Sequence, residues 1–530
     1  MGVSPRGFRV VIFGLILGAA FFLRAWGISY GLPCTWIRPD EDRLISTSLR
    51  LGFPDLDPGY YLWPGLPFLA ARPILEAVNC FGPEAASTLA GYGLDPAPFH
   101  LSLRWLSCWL GVATVAALAI LGSRLFCRTT GLAAAAFYAV AFLPVREAHF
   151  ALLDVPLAFL LVLGFLSLAS LSRQGRIKDY VRAGLFLGLA VSVKYYGVFF
   201  LFPLAVAHFS RPVRRWGPLA LALLLAAAIF LAANPWLFSR VAGFWEQVRE
   251  GILASQYLRG FELVPRAAAT RGWIHHPTFS LRYGLGLPLE ILALAALFFS
   301  LACLRRSVSW RLLASFVFPF GLALAAQRSC FLRYTMPLLP FLVLAAAEFL
   351  RRVTLLLPRG RFFLPLLVGA LALEPAVRSL RFDALIAGEP DSRLAAGEWL
   401  ARARPRALLF PREMIFSRPA GYLSYPRAWS SGLPSAREIR TALEASGAWL
   451  IVDEHPLEYA AYAPGEAREL TAGLSLVRRF PGSVAPGAVF DPFDAFFVPV
   501  DGFGSVSRPG PDLAVYRLER SPLPPDGAVP

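Results

Sequence analysis

The chain has 530 residues, 56% of them hydrophobic and only 16% charged, with a mean hydropathy of +0.55. Soluble globular domains average about 25% charged residues, so a string of soluble domains is excluded and a membrane protein is expected. The formal net charge of +16 would suit nucleic acid, but the arginines fall in short connectors between apolar runs and the sequence shows no nucleic-acid-binding module, so no such partner is expected.

Apolar runs of about 17–25 residues recur, each long enough to cross a hydrocarbon core of ~30 Å. The clusters Arg124/Arg128, Arg173/Arg176/Lys178/Arg182, Arg211/Arg214/Arg215, Arg305/Arg306/Arg311 and Arg351/Arg352/Arg359/Arg361 mark cytoplasmic connectors by the positive-inside rule, and they suit an anionic inner leaflet. The first span, residues 10–30, follows Arg6 and Arg9 as a signal sequence would. Its length, Arg24 and the lack of a small-x-small cleavage site make it an uncleaved span. A long outer loop, 31–100, is rich in Pro, Gly and aromatics, and spans 101–121, 130–145 and 153–171 follow.

Residues 183–209 have basic clusters on both sides, so both ends belong in the cytoplasm. The stretch therefore goes out and returns as two short helices, 183–193 and 197–209, with Lys194-Tyr195-Tyr196-Gly197 at the tip. At ~1.5 Å per residue each arm reaches about 15–20 Å, so the tip stops inside the protein, where irregular backbone has to line a cavity. Span 217–233 leads to a second outer loop, 234–284, whose Phe244–Tyr257 stretch has an amphipathic pattern suited to the membrane interface. Spans 286–303, 311–326, 334–350 and 362–380 bring the total to about eleven crossings.

From 381 the apolar runs shorten. A helix is expected over 392–403 after Asp391, strands over 407–410, 449–452 and 513–518, and a helix to Ser446 from the capping box Ser435–Glu438. The expected architecture is a polytopic α-helical membrane protein of the cytoplasmic (inner) membrane, residues 1–380, with its N-terminus cytoplasmic and a small extracytoplasmic α/β domain, 381–530. The six cysteines (Cys34, Cys80, Cys108, Cys127, Cys303, Cys330) lack metal-ligand spacing. Cys34 and Cys80 share the first outer loop, where unpaired thiols are expected over a disulfide.

Chemistry-bearing residues gather at the outer ends of the spans. Arg38-Pro39-Asp40-Glu41-Asp42-Arg43 follows span 1. Pro39 bars helix before it and puts the acids in the first turn of a helix through 44–51. There they either complement the helix dipole or place a carboxylate, Asp40 or Glu41, as general base for a hydroxyl nucleophile. Arg146-Glu147-Ala148-His149-Phe150 leads to Asp154 at the start of an apolar run. An acid there is an N-terminal dipole partner or a functional group facing water, and Arg146 and His149 are further site candidates. Lys194, one of only two lysines, needs an anionic partner at a buried tip: a carboxylate such as Asp154, or a phosphate. Tyr195 is its neighbour. Arg328, Arg333 and Tyr334 could hold a phosphate by charge-assisted hydrogen bonds or contact lipid headgroups. His275, His276, Arg282 and Tyr283 in the second loop have the same polarity, and no histidine pair has metal-site spacing.

These residues resemble a known family. Pro39-Asp40-Glu41 followed by Asp57-Pro-Gly-Tyr-Tyr-Leu-Trp-Pro64-Gly-Leu looks like the first-loop motif of the glycosyltransferase C superfamily. The nearest branch is glycosyltransferase family 39, which includes protein O-mannosyltransferases and the aminoarabinose transferases of lipid A. Arg146–Pro156, Gly188-Leu-Ala-Val-Ser-Val-Lys194-Tyr-Tyr-Gly and Arg333-Tyr334-Thr-Met-Pro337-Leu-Leu-Pro340 are similar to its later motifs, so the resemblance covers about 1–380. Relatives often carry His before the Pro-Asp-Glu, where Arg38 stands here. The tail, with Asp491-Pro-Phe-Asp and Arg508-Pro-Gly-Pro-Asp, resembles the tails of bacterial members and has no catalytic motif.

The resemblance implies an inverting hexosyl or pentosyl transfer from a polyprenyl-phosphate sugar to a glycan, lipid or protein acceptor on the extracytoplasmic face. Asp40 would be the base or an acceptor-orienting carboxylate, with Glu41 the alternative base, and Asp154 the second acid; Lys194, Arg333 and Tyr334, with Arg328, His276 and Arg282, would face the donor phosphate. No cofactor is certain, and a divalent metal is left open. Two other functions compete: a transporter or flippase, which would concentrate ionisable groups at the midplane with repeat symmetry, and a non-enzymatic assembly factor that binds through its tail.

Overall fold

The computed structural model of the chain describes residues 5–52, 56–81, 87–260, 271–409, 436–457, 461–463, 465 and 467–518. Every apolar segment expected to cross the membrane is mainly helical. After α1 (Pro5–Ala25), the first long loop carries α2 (Pro39–Arg50), α3 (Leu66–Cys80) and α4 (Thr88–Leu94). The bundle continues with α5 (Ala97–Leu125), α6 (Arg128–Val140), α7 (Phe142–Ala148), α8 (Asp154–Gln174), α9 (Ile177–Val193), α10 (Leu201–Phe209) and α11 (Trp216–Ala233). The second loop holds α12 (Val241–Gln247), a π-helical stretch Val248–Leu258, α13 (Gly272–His275) and α14 (Arg282–Leu285). The bundle closes with α15 (Leu287–Cys303), α16 (Val308–Ala325), α17 (Leu339–Leu355) and α18 (Gly360–Gly388). Among the described residues, five helical stretches are long and apolar enough to cross a membrane, six if the bent pair α6–α7 is one span. Other expected crossings are shorter helices, among them Tyr195–Phe209 and Leu287–Cys303.

Helices in an apolar solvent associate through close backbone packing, which small residues permit. Here α9 lies on α11 through Gly184: a Cβ at that position would stand 2.4 Å from the Ala222 carbonyl oxygen. The bend of 59° between α6 and α7 has an equally local cause. Pro144, in the first turn of α7, has no N–H for the carbonyl four residues back, that of Val140. The carbonyls freed at the break find other donors: Ser379 Oγ donates to Val140 O (2.9 Å), and the buried Arg24 donates to Ala139 O (2.9 Å) and Tyr138 O (3.2 Å). Irregular backbone survives at membrane depth only when so satisfied.

The basic connectors gather at one end. Arg173 donates to the Arg124 carbonyl and Arg211 to that of Arg173, while Arg351 and Arg352 pair with Glu348. Asp154 opens α8 and Arg173 lies in its last turn, so the 21-residue helix separates the two by about 30 Å.

α18 runs on to Gly388, so the expected boundary at 381 falls inside a helix. Beyond it come α19 (Ser392–Ala403), β1 (Leu408–Leu409), α20 (Ala436–Ser446), β2 (Trp449–Glu454), α21 (Ala467–Thr471), β3 (Ser475–Phe480) and β4 (Asp512–Arg517). Phe410 and Ser435, expected in the first strand and the capping box, lie outside the described residues. The sheet order is β1-β2-β4-β3, with β1–β2 parallel and the other pairs antiparallel. Alternation along β2 sends Trp449 and Ile451 toward α19, and Leu450 and Val452 toward α20. The segment before β4 behaves differently: Phe493, Phe496, Val498, Val500 and Phe503 join the core of the helical bundle itself. The Tyr30 hydroxyl also donates to Asp391 (2.6 Å), linking the end of span 1 to the tail.

None of the six cysteines forms a disulfide. Glu41, expected as an alternative base, is a structural anchor instead. It is fully buried and forked onto Arg104 (2.9 and 2.7 Å), and it accepts the Ala151 N–H at 2.8 Å. Burial opposes its charge, but Arg104 and His100 overcome that and hold its carboxyl down at about 2.

This packing can be tested at two positions. Gly184→Val should overpack the α9–α11 contact and cost about 1–3 kcal/mol, read as a lowered unfolding temperature in detergent. Glu41→Gln should leave Arg104 buried without its charge partner and cost about 3–5 kcal/mol. In the parent, the Glu41 pair stabilises the fold fully above the ordinary carboxyl value of 4.5, and this contribution is lost as pH falls toward about 2. If the melting temperature of Glu41→Gln matched the parent at neutral pH, the anchoring role would be excluded.

Candidate active site

Pro39 occupies the first position of α2, and Asp40, Glu41 and Asp42 fill its first turn. A helix turns about 100° per residue, so three consecutive acids point three ways. Asp42 accepts from Trp36 N (2.7 Å) and the Tyr92 hydroxyl (2.9 Å), fixing the loop. Asp40, 30% exposed at its side chain, meets Arg333 at 2.7 Å.

Lys194 owes its place to the end of α9. The backbone becomes extended there (φ −154°, ψ 134°) and re-enters as a 3-10 turn, Tyr195–Phe200. The return runs so close to α9 that a Cβ on Gly197 would lie 2.4 Å from the Ala190 carbonyl carbon. The Lys194 ammonium lies 2.6 Å from Asp154 and 5.0 Å from the centre of the Tyr334 ring. Asp154 sits in the first turn of α8, where the helix dipole favours a carboxylate.

Both pairs line one cavity of about 310 Å³, together with Tyr195, Tyr334, Arg38, Tyr60, Trp63, Gln256 and Asp494. Leu152, Leu153 and Ile252 give it an apolar wall. Burial, with Asp40 adding to it, pushes the Tyr60 phenol up to about 12, so it stays a hydroxyl donor. Tyr195 donates to the Tyr61 carbonyl at 2.8 Å.

Other expected site residues do not line the cavity. Arg146 lies behind the wall, paired with Glu147 and, at 3.3 Å, with Asp494. The His149 ring bridges Val145 O (2.9 Å) and Trp26 O (3.0 Å) in the bundle. His276 contacts Ser280 (2.9 Å) and Gln327 (3.3 Å), and burial pushes it down to about 4, so it is neutral rather than a cation for phosphate. Arg282 faces Glu374 at 3.8 Å. Arg328 is exposed, and its backbone N–H donates to Gln256 O at 2.7 Å.

The group that sequence reasoning missed comes from the tail. Asp494 receives Arg38, Arg146 (3.3 Å) and Arg333 (3.6 Å), and Arg38 also reaches Glu147 at 3.1 Å. Burial opposes the charge of Asp494, but the three guanidiniums prevail and hold it ionised. Its neighbour Asp491 is pushed up to about 6, by burial first and by Asp494 second. The available signal was Ala495-Phe-Phe-Val-Pro-Val500, a run too apolar for an exposed loop. The site thus joins four cations (Arg38, Arg146, Lys194, Arg333) to four carboxylates (Asp40, Glu147, Asp154, Asp494). Among the described residues, no group of three or more His, Cys, Asp or Glu stands close enough to hold a metal ion.

Residues 87–247 match the family model of dolichyl-phosphate-mannose-protein mannosyltransferase. No curated protein matches the chain significantly. Among solved structures, the chain is similar to ArnT from Cupriavidus metallidurans bound to undecaprenyl phosphate, with 15% identity over 98% of this chain and 100% of that one and a TM-score of 0.53. It is also similar to the apo oligosaccharyltransferase of Archaeoglobus fulgidus, at 12% identity over 84% of this chain and 69% of that one, TM-score 0.54. The chain is a multi-pass membrane protein with the fold of the glycosyltransferase C superfamily.

Proposed function

We propose that the chain transfers a sugar from a polyprenyl-phosphate donor to a hydroxyl acceptor, with inversion at the anomeric carbon. The observation that carries this reading is one cavity in which two carboxylates and their cations stand beside an apolar wall. A lipid-linked phosphate needs both surfaces: apolar contact for the chain next to the phosphate, and cations for the charge that grows on it as the sugar leaves.

The acceptor oxygen attacks the anomeric carbon from the face opposite the phosphate. The new carbon–oxygen bond forms as the bond to the phosphate oxygen breaks, and the hydroxyl proton passes to Asp40. Polyprenyl phosphate leaves as an anion facing Lys194 and Arg333. Asp154 holds Lys194 at 2.6 Å and so fixes one of these cations. The basic connectors lie at the far end of α8 from Asp154, which by the positive-inside rule supports an extracytoplasmic site. The matched family and ArnT favour this reading over transport, and the ionisable groups that line the cavity lie at the Asp154 end of α8.

Cells lacking the protein should accumulate a polyprenyl-phosphate sugar and lose one envelope glycan, both read by mass spectrometry. Asp40→Asn should reach the membrane in normal amount yet lower transfer about 10²–10⁴-fold, the usual contribution of a positioned base. Asp154→Asn should also impair turnover. Full glycan formation by Asp40→Asn would exclude it as the base.

A further inference from the structure

Arg333 lies 2.7 Å from Asp40 Oδ2, so one of the two carboxylate oxygens of the proposed base is already engaged. The same guanidinium extends its other nitrogen toward Asp494, at 3.6 Å. Arg333 is therefore shared by one carboxylate from α2 and one from the tail. Asp494 is itself fixed, because Arg38 and Arg146 hold it from the other side and both also pair with Glu147. Its loop is pinned as well: the neighbouring Asp491 accepts Leu332 N–H at 2.9 Å, the residue just before Arg333. Phe496 lies under the Arg38 and Arg146 guanidiniums, 4.6 and 4.9 Å from their centres.

We propose that Asp494 is a positioning residue for the transfer, the second carboxylate that retains Arg333 when Asp40 gives it up to become a base. This rests on the glycosyltransfer reading above. An incoming phosphate attracts Arg333 and competes with Asp40 for it. With Asp494 in place the guanidinium moves within a bracket of two anchors. Without it, Arg333 is left with Asp40 alone of the two, and the guanidinium stays on the carboxylate that has to take the acceptor's proton. The tail thereby completes the site.

The charge arithmetic separates this role from a structural one. Asp494→Asn removes one negative charge, so phosphate affinity should not weaken, while turnover should fall. Loss of tail docking would instead lower both together, or lower the amount of protein. The test uses the full-length chain in cells lacking the native copy, with glycan formed per lipid-linked sugar accumulated as the measure of turnover. Binding of undecaprenyl phosphate to the purified protein gives the affinity.

Asp494→Asn that reaches the membrane should bind undecaprenyl phosphate at least as tightly as the parent and form glycan about tenfold more slowly, roughly 1.4 kcal/mol of barrier. Asp494→Glu, which keeps the charge, should restore most of the rate. The pair Arg146→Gln with Asp494→Asn removes one cation and one anion together. It should show the same slow turnover, and it provides the test if the single variant does not accumulate. Undiminished glycan formation in the accumulating variant would overturn the proposal, as would a parallel fall in turnover and lipid affinity. In either case parental activity leaves the glycosyltransfer reading standing. A parent chain that restores no glycan would overturn both.

Discussion

A charge buried against hydrocarbon or packed side chains costs several kcal/mol unless an opposite charge meets it with good geometry. That constraint organises this molecule. Arg38 comes from the first loop, Arg146 from α7 and Arg333 from the turn before α17, and all three converge on Asp494 of the tail. The pairing that makes three buried arginines tolerable is also what docks the tail. Cavity shape and domain docking therefore share the same interactions, and a change in one is transmitted to the other. Glu41 with Arg104 does the same work one helical step away, holding α2 so that its neighbour Asp40 faces the cavity.

The cavity lies where helices break. α9 ends at Val193, just before Lys194, α7 ends at Ala148 shortly before Asp154, and the segment Leu332–Leu338 is a 3-10 turn rather than α-helix. A regular helix buries its polar backbone and exposes only side chains to its neighbours. A break brings backbone groups and a change of direction, and with it room for a long cation to reach inward. Gly197 shows how tightly this is built, since the returning chain leaves no space for a Cβ.

Much of this was legible in the sequence. Hydropathy and the basic connectors located the apolar segments, and the basic clusters on both sides of 183–209 forced the break at Lys194. Asp391 marked the start of α19, where its side chain accepts the Arg393 N–H. What escaped was orientation and distance in sequence. Asp40 and Glu41 are adjacent and chemically alike; only the phase of α2 and the position of Arg104 decide which faces the cavity. His276, Arg282 and Arg328 have suitable side chains in a suitable loop, yet they turn to Gln327, Glu374 and solvent. Asp494 lies 456 residues from Arg38, and no local pattern joins them.

Equal numbers of cations and carboxylates have a consequence for what the cavity selects. Among the described residues lining it, an anion meets no uncommitted guanidinium; it has to take Arg333 or Lys194 from a carboxylate already in place. The gain from such an exchange is only the difference between two ion pairs, so free phosphate would be held weakly. A phosphate carried on a polyprenyl chain brings a further contribution, about 0.8 kcal/mol for each methylene buried against a wall such as Leu152, Leu153 and Ile252. Under the proposed reaction, affinity then comes mainly from the lipid while the ion-pair exchange supplies the trigger. Under the same proposal, a phosphate that competes for Arg333 loosens it from Asp40, so release of that carboxylate is coupled to the presence of the donor.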